Sequence, residues 1–113
     1  MLKLVKLNLT LGSIVALASL GAQPALAADA AAGKEVFARK CDSCHGTAGE
    51  GKEAVAKMLK VEIRNLGSKE VQSKADAEIK KNIVEGTGKM KAVTGVDSNA
   101  ADDVVAYLRT LKK

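Results

Sequence analysis

The sequence is short of rings, prolines and histidines. It contains no Trp, one Phe (Phe37) and one Tyr (Tyr107), so the large side chains that usually dominate a small core are nearly absent. Something other than aromatic side chains must fill the middle. The single proline is Pro24, so no later segment is broken by a fixed φ. The single histidine, His45, excludes any site needing two imidazoles from this chain. The only cysteines, Cys41 and Cys44, are three apart. A bond between them would close a tiny loop and restrict the unfolded chain very little, so they need another task. No internal repeat is visible, and no strand pattern rises above background.

What is present begins with an address. Lys3 and Lys6 give a positive start, residues 9–20 form a mostly apolar run, and Ala25-Leu26-Ala27 supplies the small-x-small pattern of signal peptidase. Cleavage is expected after Ala27. An uncleaved anchor is the alternative, but Asn8, Thr10, Ser13, Gln23 and Pro24 interrupt the stretch, and a span needs about 20 apolar residues. There is no twin arginine at the start and no cysteine behind the cleavage point to carry a lipid. The expectation is a leader over 1–27, removed during export by the general secretory route, and a periplasmic domain over 28–113 with no stable membrane insertion. Taking 27 residues from 113 leaves 86, a length at which an unaided core is only marginally adequate.

The domain reads as helical. Asp29 caps a run of strong helix formers that leads into Cys41, and Gly33 inside it costs about 1 kcal/mol relative to Ala, so either it is neutral drift or another backbone passes close by. Gly46 to Gly51 reads as a loop, Lys52 to Leu59 as a short helix, and residues 61–67 as a loop. Ser68 to Ser73 reads as a turn or two. A helix with Asp76 in its first turn carries Ile79, Ile83 and Val84 as an apolar stripe, and Gly86 ends it. Gly86-Thr87-Gly88-Lys89-Met90 reads as a flexible loop. The last helix, capped by Asp97 or Ser98, places Ala101, Val104, Val105, Leu108 and Leu111 on one face.

Cys41-Asp42-Ser43-Cys44-His45 carries the chemistry, because C-x-x-C-H is the attachment signature of c-type haem. Two thiols one turn apart can reach the two vinyl groups on one side of a porphyrin, while the adjacent imidazole is carried under the iron. The flat apolar macrocycle would also supply the missing core, at roughly 25 cal/mol per Å² buried. A zinc site would find only two thiolates and one imidazole and lack a fourth Cys or His ligand. A thioredoxin-type dithiol expects a βαβ setting that the pattern does not offer. For a second axial iron ligand the domain offers Met58 and Met90. Met58, beside Leu59 on a short helix, reads as core. Met90 lies 45 residues beyond His45, far enough to cross to the other face of the ring, and follows a glycine turn that permits close approach. Met90 is therefore the expected partner of His45, a pairing that raises the haem potential.

With these residues in view, the chain resembles the class I cytochromes c, in particular the small monohaem bacterial members. Gly33 and Phe37 ahead of the motif, Val104 and Tyr107 in the last helix, and Met90 after Gly-x-Gly carry the likeness across nearly all of 28–113. It implies an all-α fold of three to five helices around one covalently bound haem c. The first and last helices would cross at Gly33, with Phe37 and Tyr107 packed around the contact. The motif near the start of the domain separates it from the four-helix-bundle cytochromes, whose motif lies near the C-terminus. There are two departures. The family often uses a proline carbonyl to accept the proximal imidazole N–H, whereas no proline follows Pro24 here, and an acceptor is expected instead within 63–66. The ligand methionine is commonly followed by proline, and here Lys91 follows Met90.

Formal net charge is +5, and losing Lys3 and Lys6 leaves 16 basic against 13 acidic residues, or +3. That excess does not form the basic stripe of a nucleic-acid binder. Lys89 and Lys91 flank Met90, and Lys69, Lys74, Lys80 and Lys81 precede it. These form either an ordinary solvated face or a positive rim that steers redox proteins with acidic docking surfaces. Two protein ligands on iron leave no position for a substrate. The expected role is a monomeric one-electron carrier and not an enzyme. The competing class is a haem enzyme or gas-binding sensor whose sixth ligand is displaced.

Overall fold

The computed structural model of the protein describes residues 27–113. The expected leader over 1–27 lies outside that range except for Ala27. Along the chain run α1 (Ala30–Lys40), α2 (Asp42–His45), α3 (Glu53–Leu59), α4 (Lys69–Gln72) and α5 (Asp76–Glu85). A hairpin of β1 (Gly86–Thr87) and β2 (Met90–Lys91) follows, and α6 (Ser98–Thr110) closes the chain. The fold is all-α in character. Its six helical segments among the described residues exceed the expected three to five because α2 and α4 are single turns of 4 residues.

Three helices, α1, α4 and α6, start where the sequence places a short polar side chain. The Asp29 carboxylate accepts from the Ala31 and Ala32 N–H groups at 2.9 and 3.2 Å, and Asp97 accepts from Ala100 N–H at 2.8 Å. Each cap satisfies amides that no helical carbonyl reaches. Ser68 caps α4 in the same way.

The first and last helices cross at Gly33. A Cβ there would overlap the Asp103 carbonyl and press on the Val104 amide, so the missing side chain lets two backbones meet. One turn along, the Phe37 and Tyr107 rings pack edge to face, with centroids 5.3 Å apart and planes at 60°, the arrangement ring quadrupoles favour. Ala101, Val104, Val105 and Leu108 complete this buried cluster with Ile79 and Ile83 of α5. Across the same contact, Asp29 N–H donates to Asp103 Oδ1 at 2.8 Å.

Two expectations are corrected here. Val84 is not part of the α5 stripe and stands exposed, because one residue beyond Ile83 turns it about 100° away from the core. The segment 86–91 is not a plain loop, since Gly86 pairs with Lys91 and Thr87 with Met90 in antiparallel register. Gly86 and Gly88, at φ 82° and 54°, make the turn possible. Strands of 2 residues carry no alternation to read.

A polar staple holds the cavity-side turns against α6. Gln72 Nε2 donates to the Leu66 and Leu108 carbonyls at 2.8 and 2.9 Å. Arg109 donates to the carbonyls of Gln72 and Lys74 at 2.9 and 2.7 Å, and to Asp76 Oδ1 at 2.6 Å. Among the described residues no helix is long and apolar enough to cross a membrane.

Candidate functional site

The motif sits where α1 breaks. Cys41 caps the end of α1, its N–H donating to Phe37 O at 2.8 Å, and the single turn α2 then carries Cys44 and His45. Gly46, at φ 81°, reverses the chain. Gly51 N–H and Lys52 N–H return to the His45 and Cys44 carbonyls at 2.6 and 3.0 Å. These bonds satisfy acceptors that the end of a short helix leaves open, and they fix the motif from both sides.

Beneath it lies a cavity of about 650 Å³, within the size range of small-molecule and cofactor sites. Cys41, Cys44 and His45 line it, as do Leu59, Val61, Ile63, Leu66, Val71, Ile79, Ile83 and Val93. Met90 lines the same space from the hairpin. The four side chains singled out from the sequence thus share one apolar chamber. Met58 does not reach it. It is 72% exposed, which corrects its expected place in the core: α3 turns Leu59 inward and leaves Met58 in water.

Burial sets the chemistry of the donors. The Cys41 thiol is pushed up to about 11, first by burial and then by the neighbouring Cys44, so it remains a thiol at neutral pH. Burial also holds the His45 imidazole below its usual range, keeping it neutral and able to bind a metal. His45 Nδ1 is buried without a hydrogen-bond partner. The acceptor expected within 63–66 is not engaged by it, and the Leu66 carbonyl is taken by Gln72 instead. Asn82, Glu62 and Thr87 also face the cavity and were not anticipated. Only Asn82 left a trace in the sequence, by its place beside Ile83 and one turn after Ile79.

The lysines divide. Lys74, Lys80 and Lys81 are paired with Glu78, Asp102 and Glu85 at 3.4, 2.9 and 3.9 Å, so half of the expected positive rim is locally neutralised. Among the described residues Lys69, Lys89 and Lys91 make no ion pair, nor does Lys40. Lys40, Lys89 and Lys91 stand at the cavity.

A family model described as cytochrome c matches residues 30–112. The chain belongs to the cytochrome c family. Its cofactor is accordingly covalently bound haem c with iron, and the chamber fits that group: an apolar wall, two thiols, a neutral imidazole and a thioether. Family members are typically electron-transfer proteins. Similar solved structures include the KustC0563 c-type cytochrome, 25% identical with a TM-score of 0.61 over 72% of this chain and 98% of that one. Cytochrome cL from the marine methylotroph Methylophaga aminisulfidivorans MPT is 22% identical, with a TM-score of 0.57 over 74% of this chain and 53% of its own. Cytochrome cL from Hyphomicrobium denitrificans is 22% identical, with a TM-score of 0.56 over 74% of this chain and 47% of its own. At that identity the two share the fold, and this chain spans about half their length. No curated protein matches the sequence.

Proposed function

We propose that the protein is a periplasmic monohaem electron carrier in which Cys41 and Cys44 hold haem c and His45 and Met90 are its axial iron ligands. The observation that carries the reading is that the C-x-x-C-H turn and Met90 line one apolar cavity while Met58 stands outside in water. When bound, the haem iron supplies a one-electron change between ferric and ferrous states. The chain does the rest.

Cys41 and Cys44 would hold the haem through thioether bonds and would thereby be withdrawn from thiol exchange. His45, kept neutral by burial, presents a nitrogen lone pair, and Met90 presents a soft sulfur that favours the reduced state. The aliphatic wall excludes water and lowers the local dielectric, which penalises the extra charge of the ferric form. With His45 and Met90 both holding the iron, no position on it would remain for a substrate. Lys40, Lys89 and Lys91 at the cavity mouth attract acidic redox partners, an effect that salt screens. Residues 1–27 direct export and are cleaved after Ala27, and the carrier acts as a monomer.

The test is an optical spectrum of the protein matured in a haem-attaching host, oxidised and reduced. A low-spin six-coordinate spectrum in both states, converted to high spin by Met90→Ala, is expected. A five-coordinate spectrum of the unaltered protein, or tight carbon monoxide binding when reduced, would assign it instead to gas binding or catalysis at iron.

A further inference from the structure

The rim of the cavity is closed by two elements with little hold on the rest of the fold. Helix α3 buries none of its 7 residues, and a hairpin with only the pairs Gly86–Lys91 and Thr87–Met90 has marginal stability by itself. One long-range hydrogen bond joins them: Lys89 Nζ donates to the Leu59 carbonyl at 2.9 Å, across 30 residues of chain. Leu59 is the last residue of α3, and Lys60 after it turns left-handed at φ 53°. Its carbonyl is among those left open at the end of a helix, where an ammonium is also favoured by the helix dipole. Both Leu59 and Met90 line the cavity, so the bond spans its mouth from wall to wall immediately beside the proposed ligand.

We propose that Lys89 is a positioning residue, a clasp that holds the Met90 hairpin against the end of α3 and thereby keeps outside ligands from displacing the methionine. The proposal rests on Met90 being an iron ligand. It gives Lys89 a task separate from partner attraction, and it supplies by a side-chain bond the restraint that a proline after Met90 would supply through the backbone, at a position occupied by Lys91. Among the described residues the neighbouring Lys91 makes no such bond, and it serves as the control for charge alone.

The experiment is an optical titration of the oxidised, haem-loaded protein with imidazole. Lys89→Ala should bind imidazole about fivefold more tightly than the unaltered protein, the effect of one hydrogen bond, while Lys89→Arg, which keeps a cationic donor, stays within about twofold. Lys91→Ala should also stay within about twofold. Unchanged affinity in Lys89→Ala, or an equal gain in Lys91→Ala, would overturn the clasp. Met90→Ala separates the two readings: it should bind imidazole far more tightly than any lysine variant. If it binds no better than the unaltered protein, Met90 is not the ligand and the clasp falls with it.

Discussion

Where α1 crosses α6, side chains are buried by one another; where α3 leans toward the hairpin, they line a chamber sized for a cofactor. The first region holds Phe37, Val104 and Ala101 at 2%, 1% and 0% exposure and is closed by backbone contact at Gly33. The second has a helix with no buried residue and a hairpin clasped by a single lysine. The crossed helices are a scaffold that can form from sequence-encoded packing, whereas the chamber side gains its burial from the haem. An aromatic-poor chain can afford this division because the cofactor fills the space that rings would occupy.

The largest losses are expected in the scaffold. Phe37→Ala should destabilise the haem-loaded protein by about 3–5 kcal/mol, since it empties a buried site and removes the edge-to-face contact with Tyr107. Urea unfolding measures it, and a loss under about 1 kcal/mol would mean that the crossing is not the scaffold. Gly33→Ala should cost about 2 kcal/mol, because the added methyl forces α1 from the Asp103 carbonyl and outweighs the better helix propensity of Ala. An equal or raised midpoint would show that the helices can part freely. On the chamber side, Leu59→Ala should cost only about 1 kcal/mol, and its effect should add to that of Phe37→Ala within about 0.5 kcal/mol if the regions are independent.

The smallest effect is in pH. In the haem-free chain, the folded-state pKa of His45 lies below its ordinary value of 6.5, so the unfolded state takes up the proton first. Stability contributed by the neutral imidazole is therefore complete above about pH 6.5, declines as pH falls from there toward the folded-state pKa, and declines no further below it. Urea midpoints across that window should drop in the haem-free chain and flatten in His45→Gln.

The scaffold was largely legible in the sequence and the chamber only in part. Asp29, Asp97 and the α6 register could be read because caps and helical periodicity are local signals, and Gly33 stood out as an unfavourable residue inside a helix. The hairpin escaped because strands of 2 residues have no period. Val84 and Met58 were misplaced by reading apolar character without direction: each lies next to the residue that faces inward. The Gln72–Arg109 staple and the Lys89–Leu59 clasp join residues 30 or more apart, and nothing local marks such partners. Of the site, the cysteines and His45 fall within one five-residue motif and so were visible together, while Met90 could be joined to them only by distance along the chain and its glycine turn.

The division between the two regions depends on haem being carried by the α2 turn. Protease digestion and mass spectrometry of protein matured in a haem-attaching host should find one haem on the peptide containing Cys41 and Cys44, and none after Cys41→Ala/Cys44→Ala. An unmodified peptide from the unaltered chain would contradict it.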